Sequence, residues 1–217
     1  MSVVVLVSGG IDSCALVGHL LSAGEAVQPV YVREGLVWEE AELAHLRRFL
    51  AAMAGPGLAS LRILELPMGD LQAGHWSLTG EAVPTAESAD EAVYLPGRNL
   101  VLVAKAAVLA AEIGATRIAL GILAGNPFPD ATPEFLAALG EAISLGLARP
   151  IAVIAPFAGL TKRDVLARAA ALPLELTFSC LRPAGERPCG ACNKCAERRR
   201  AFRECGRADP TPYMVGT

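Results

Sequence analysis

The sequence predicts an α/β fold: a doubly wound, Rossmann-like parallel sheet of the adenine nucleotide alpha hydrolase kind, with a small metal-binding segment near its C-terminal end. Three observations carry this expectation. Val3-Val4-Val5-Leu6-Val7 is an unbroken run of apolar, mostly β-branched residues, as in a strand buried on both faces at the centre of a parallel sheet. Short apolar strands then alternate with helical segments as far as residue 170. Finally, four of the six cysteines crowd into residues 180–195. In a chain expected to be cytoplasmic such crowding points to a metal rather than to disulfides. The 217 residues suffice for one such domain with a full core. The expected division is 1–173 for the sheet domain, 174–205 for the cysteine segment with a short helix, and 206–217 for a tail.

Composition narrows the class. Hydrophobic residues make up 53% and charged residues 19%, which argues for a folded chain. A net charge of −3 gives no sign of a basic nucleic-acid surface. No apolar run approaches the ~18 residues of a membrane span, and no basic stretch precedes the first apolar run. A cytoplasmic protein is expected.

The elements follow in order. After the first strand, Ser8-Gly9-Gly10 breaks the run, and Asp12 or Ser13 is placed to cap a helix over about 13–23, stopped by Gly24. Val27 to Val32 reads as a second strand. Residues 37–53 have helical spacing, with Glu39, Glu40, Glu42, Arg47 and Arg48 available for the wet face. Leu61 to Leu66 alternates as a third strand. From Pro67 to Pro96 no period is visible, as in a lid, a binding loop or a disordered segment. Pro96-Gly97-Arg98-Asn99 opens a helix to about Ile113 that is apolar nearly all round, so burial is expected. Arg117 to Gly121 is a fourth strand, 133–147 a helix with Pro133 in its first turn, and Ile151 to Ile154 a fifth strand. Thr161-Lys162-Arg163-Asp164 resembles a capping box for a helix to about Ala170.

Chemistry concentrates at a few places. A buried strand, a glycine turn and a helix N-terminus gather free N–H groups and roughly half a positive charge, which makes an anion site; the alternative is a turn without a ligand. The turn is neither a Walker loop nor a dinucleotide fingerprint, because the lysine of the first and the third glycine of the second are missing. Cys180, Cys189, Cys192 and Cys195 have the C-x₈-C-x₂-C-x₂-C spacing of a closed tetrahedral Zn²⁺ site, with an iron–sulfur cluster or free thiols as alternatives. Cys14 reads as a core residue, and Cys205 lies outside the cluster. Arg98, at a helix start, can hold a carboxylate or phosphate or form a surface ion pair. Asn126, Asp130 and Glu134 follow the fourth strand, where open parallel sheets place ligands, although turn chemistry explains them equally. Lys162 could approach phosphate, although a capped surface helix explains it almost as well. His19 and His45 read as structural, and His75 has no assigned role.

Ser8-Gly9-Gly10-Ile11-Asp12-Ser13 directly after the first strand resembles the pyrophosphate loop of the ATP pyrophosphatase (PP-loop) superfamily. The resemblance implies that the loop from Val7 to Cys14 (Val7, Ser8, Gly9, Gly10, Ile11, Asp12, Ser13 and Cys14) holds the phosphates of ATP, with Asp12 near Mg²⁺. Tyr94-Leu95-Pro96-Gly97-Arg98-Asn99, Phe128-Pro129-Asp130, Pro133-Glu134-Phe135, Leu160-Thr161-Lys162, Thr177-Phe178-Ser179-Cys180 and Pro188 to Cys195 extend the likeness over nearly the whole chain. Together they resemble the 7-cyano-7-deazaguanine synthase family, QueC-like enzymes of queuosine precursor biosynthesis. That implies an ATP-dependent carbon–nitrogen ligase taking 7-carboxy-7-deazaguanine and ammonia to the nitrile through an acyl-adenylate. Asp12, Ser13, Arg98 and Lys162 would then stand at the reacting centre. Arg98, Asn99, Asn126, Asp130, Glu134 and Phe178 would stand around the substrate.

Two departures are plain. Arg33-Glu34-Gly35-Leu36 replaces an Asp-Tyr-Gly-Gln-like stretch, and Ala131 stands where the family has a cysteine. Both are expected beside the acceptor pocket, so a related ligase on another carboxylate stays open. So do a PP-loop enzyme modifying tRNA and a non-catalytic nucleotide-binding module. With a net charge of −3, no stable nucleic-acid partner is expected. Apolar surface on the helix at 97–113 and on the long loop could pair two copies into a homodimer.

Overall fold

In a computed structural model, which describes residues 2–214, strands β1 (Ser2–Leu6), β2 (Ala26–Arg33), β3 (Arg62–Glu65), β4 (Arg117–Ala119) and β5 (Ala152–Ile154) form one sheet. All neighbours are parallel and the order is β3-β2-β1-β4-β5. β1 is central because Val3, Val4 and Val5 are fully buried, Val3 and Val5 in one apolar cluster and Val4 in the other. One face carries α1 (Ile11–Ser22), α2 (Glu39–Ala52), α7 (Lys162–Arg168) and α8 (Asn193–Glu204). The other carries α5 (Arg98–Ile113) and α6 (Pro133–Gly146). The chain leaves β1 toward β2 on one side and returns as β4 on the other. The crevice at the carboxyl ends of β1 and β4 is therefore the switch point where such sheets bind ligands.

Several expectations need correction. Neither Asp12 nor Ser13 caps α1: the helix starts at Ile11 with Gly10 in the cap position and no side-chain cap. The first-turn N–H groups stay free for a ligand, as an anion site requires. α5 is not buried all round. Val103, Ala106, Ala107 and Ala110 face the sheet, whereas Leu100, Val108 and Ile113 are exposed on the far side. Glu39 and Glu42 do not face water; both are buried, because each serves a polar group inside the domain.

The stretch 67–96 is built rather than loose. It contains α3 (Gly69–Gln72), α4 (Trp76–Thr79) and a 3₁₀ turn at Asp90–Val93. Trp76 stacks on Trp38 with ring centres 5.6 Å apart. Thr85 bridges to Cys192, and Asn193 donates from its backbone to Pro84 O at 2.9 Å and from Nδ2 to Ser88 O at 2.9 Å. A third apolar cluster joins Leu36, Trp38, Val93 and Leu95 to Phe178 and the four clustered cysteines.

Candidate active site and metal centre

The turn after β1 is closed on itself. Gly9 sits at φ +76°, a conformation that side chains disfavour. Ser8 N donates to Ser13 Oγ at 3.2 Å, and Ser13 Oγ donates to Gly10 O at 3.2 Å. From below, Phe178 N donates to Gly9 O at 2.8 Å, tying the stretch before Cys180 to the turn. From the side, Gly121 packs so closely that a Cβ there would lie 3.0 Å from Asp12 C and from Ser13 N. Val7, Ile11 and Cys14 are buried and anchor the turn.

A cavity of about 260 Å³ opens over this turn, bounded by Tyr31, Glu42, Tyr94, Arg98, Asn99 and Phe128. A recess of about 180 Å³ continues from it past Ser8, Gly10, Asp12, Glu42 and Arg98 toward Trp38, Lys162, Ser179 and Lys194. Tyr94 and Phe128 stack with ring centres 5.0 Å apart and offer an aromatic wall. The space thus has a floor of glycine turn and uncapped helix start, a flat aromatic wall and a charged side pocket.

Charge in the recess is tightly paired. Lys162 Nζ lies 2.5 Å from Asp12 Oδ2 and 3.1 Å from Glu197 Oε1, and Lys194 Nζ donates to Glu197 Oε2 at 2.7 Å. Burial disfavours the Lys162 charge, but Asp12 and Glu197 outweigh it and raise the pKa above the ordinary lysine value. Arg98 Nε donates to Glu34 Oε2 at 2.8 Å, with Nη2 2.6 Å from the same oxygen. Glu39 accepts from the backbone N–H of Glu34 and of Gly35, and Arg33 pairs with Glu39 and Glu40. Tyr31 Oη donates to Glu42 Oε2 at 2.7 Å. Burial pushes the Glu42 carboxyl up to about 8, against the pull of Tyr31 and Arg98.

Asp12 Oδ1 is buried with no hydrogen-bond partner among the described residues. A carboxylate oxygen in that state beside a phosphate-type turn fits Mg²⁺, a hard cation that binds through one or two carboxylates and phosphate oxygens. The sulfurs of Cys180, Cys189, Cys192 and Cys195 all lie within 4.8 Å of one another, and all four residues are buried. Backbone N–H groups of Leu181, Arg182, Cys189 and Ala191 point at these sulfurs at 3.2–3.4 Å. Such donors offset thiolate charge, so the donor set fits one tetrahedral metal ion. Gly190, at φ +78°, supplies the turn between the second and third cysteines.

The family model described as queuosine biosynthesis protein QueC matches residues 2–206. The chain belongs to the QueC family. It is 34% identical over 97% of both chains to the 7-cyano-7-deazaguanine synthase of Methanoculleus marisnigri. It is 35% identical over 94% of both chains to 7-cyano-7-deazaguanine synthase 1 of Desulfitobacterium hafniense. Among solved structures, a 4-thiouridine synthetase–RNA complex with bound ATP shares the fold, with a TM-score of 0.53 at 22% identity over 94% of this chain and 50% of that one. No helix among the described residues is long and apolar enough to cross a membrane.

Within this QueC-family chain the expected site residues divide. Ser8, Gly10, Asp12, Ser13, Arg98, Asn99, Asn126 and Asp130 line the cavity, and Lys162 lines the recess. Asp130 accepts from Asn99 N at 2.9 Å and so caps α5, and Asn126 Oδ1 accepts from Phe128 N at 3.0 Å. Glu134 is exposed on α6 and stays outside the lining. The Phe178 ring is buried, 5.0 Å from His45, and the residue lines the recess beside the turn. Arg98 is already neutralised by Glu34, one of the departures from the family pattern. Ala131, the other departure, packs into the apolar cluster beneath α5 and does not reach the cavity.

Sequence reasoning missed Tyr31, Glu42, Lys194 and Glu197, and noted Glu34 only within a departure expected beside the acceptor pocket. The capping-box lysine, the cysteine spacing and the departure at Arg33–Leu36 hinted at their neighbourhood.

Proposed function

We propose that this chain makes 7-cyano-7-deazaguanine from 7-carboxy-7-deazaguanine, ammonia and ATP. The observation that supports this best is the family match over residues 2–206 joined to a helix start left uncapped at a sheet switch point, with Asp12 Oδ1 unpartnered beside it. The turn from Ser8 to Ser13 holds the β,γ-phosphates through its N–H groups and hydroxyls. Mg²⁺, when bound at Asp12, neutralises charge on the phosphate oxygens. Lys162 stands over the same charge. The deazapurine ring lies against the Tyr94–Phe128 wall, near Asn99 and Asp130.

A carboxylate is a poor electrophile. Its oxygen attacks the α-phosphorus and pyrophosphate leaves. Ammonia then displaces AMP to give the amide, the amide oxygen attacks the α-phosphorus of a second ATP with release of pyrophosphate, and loss of AMP and both N–H protons leaves the nitrile. No protein nucleophile is needed. The chain supplies positioning, electrostatic relief and exclusion of water.

The four cysteines hold one Zn²⁺ that fastens the segment before α8. The substrate is a small molecule, and the net charge of −3 supports no stable nucleic-acid partner. Leu100, Val108 and Ile113 on α5 and Leu145 on α6 are exposed apolar side chains that support a homodimer. The test is mass analysis after incubation with ¹⁸O-carboxylate substrate, ATP and ammonium. Nitrile product with ¹⁸O in AMP is expected; unlabelled AMP, or neither amide nor nitrile, refutes the proposal.

A further inference from the structure

Beside the phosphate turn lie four cations, Arg98, Lys162, Lys194 and Arg198, and two are committed elsewhere. Arg98 is held by Glu34. Arg198, with 3% of its side chain exposed, donates to Thr177 Oγ1, Leu174 O and Asp209. A lysine ammonium has three N–H donors. Lys162 spends two, on Asp12 and Glu197, whereas Lys194 spends one, on Glu197. Lys194 therefore keeps the larger unused donor capacity while lining the recess, and 32% of its side chain is exposed.

Its position is also unusually well determined. Lys194 occupies the first turn of α8 with Cys192 as the helix cap and Cys195 next in sequence. A metal on those sulfurs would hold the lysine from both sides.

We infer that Lys194 contacts the pyrophosphate half of the nucleotide, and that Glu197, which pairs with both Lys162 and Lys194, yields them to the phosphates. The inference rests on the reading of Ser8–Ser13 as the ATP phosphate site and goes beyond it. It makes the cysteine segment part of the phosphate site rather than a remote staple. It also gives Glu197 a role in turnover: the carboxylate competes with pyrophosphate for the same two ammonium groups, so it favours product release.

The test measures binding of inorganic pyrophosphate with Mg²⁺ to the full-length, metal-loaded protein by calorimetry, with metal content recorded for every variant. Lys194→Met should weaken binding by about tenfold or more, the scale of one charge-assisted hydrogen bond. Lys194→Arg should keep most of the affinity. Glu197→Gln should tighten binding several-fold, as the competing carboxylate is gone. Lys105→Met, on the exposed side of α5, controls for bulk charge and should change nothing. Opposite signs for Lys194→Met and Glu197→Gln support the inference. Unchanged binding in Lys194→Met, or equal weakening in both, overturns it in favour of a plain helix-surface ion pair. A wild-type protein that binds no pyrophosphate refutes the phosphate-site reading itself, a result no variant can mimic.

Discussion

Replacing Glu42 by glutamine should flatten the pH dependence of stability in a calculable way. The Glu42 residue is 7% exposed, with Tyr31 and Arg98 favouring its charge and Glu39 and Glu34 opposing it. Burial outweighs the rest and lifts its pKa from 4.5 to about 8. In the unfolded chain the same carboxyl ionises near its ordinary value, so between 4.5 and about 8 the folded state binds the extra proton. Its contribution is therefore fully present below 4.5 and is lost as pH rises toward about 8. The slope is ~1.4 kcal/mol per pH unit, so by neutral pH the loss reaches up to ~3 kcal/mol. Glutamine cannot ionise, yet its carbonyl oxygen can still accept from Tyr31 Oη. Urea unfolding of the nucleotide-free protein across this window should show Glu42→Gln gaining steadily on wild type. Other titrating groups cancel in the difference. Two stability curves that run parallel from 4.5 to 8 would refute the reasoning, since Glu42 would then not be titrating there.

Three further outcomes are expected. Asp12→Ala should reduce turnover by at least ~100-fold, the scale of losing an electrostatic partner in a water-poor site, with circular dichroism unchanged; near-normal steady-state rates would remove Asp12 from the chemistry. Cys192→Ser should release the metal in elemental analysis while Cys14→Ser and Cys205→Ser keep about one zinc per chain, since zinc binding in small peptides is worth on the order of 10 kcal/mol; iron in place of zinc would contradict this. Gly121→Ala should cost about 1–3 kcal/mol by overpacking and raise the KM for ATP, because the new methyl meets the backbone of Asp12 and Ser13, which cannot swing aside; an unchanged KM would mean the turn does not depend on this packing.

The parts of the site legible in the sequence are those written locally. The buried run of β1, the glycine turn after it and the cysteine spacing each sit within a few residues. Pairs made by tertiary approach were not visible: Lys162 meets Asp12 across 150 residues, and Arg98 meets Glu34 across 64. Helical periodicity misassigned Glu39 and Glu42 to the wet face because it sorts residues by polarity, and a binding site inverts that rule by burying charge against partners. The same inversion explains Arg98. A basic residue at a helix start looks free to bind an acid until Glu34, from the loop after β2, is found beside it.

The hydrogen bonds from Asn193 to Pro84 and Ser88, and from Ala86 N to Ala191 O at 3.1 Å, have a consequence for how the molecule opens. The segment 84–88 leans on the backbone between the cysteines, and Phe178, two residues before the first of them, is bonded to the glycine turn. These three pieces, far apart in sequence, form one cooperative unit that frays together while the sheet persists. Stripping the metal with a chelator should thus expose 84–88 to limited proteolysis before any sheet strand is cut, and bound nucleotide, gripping the same unit from the other end, should slow that nicking.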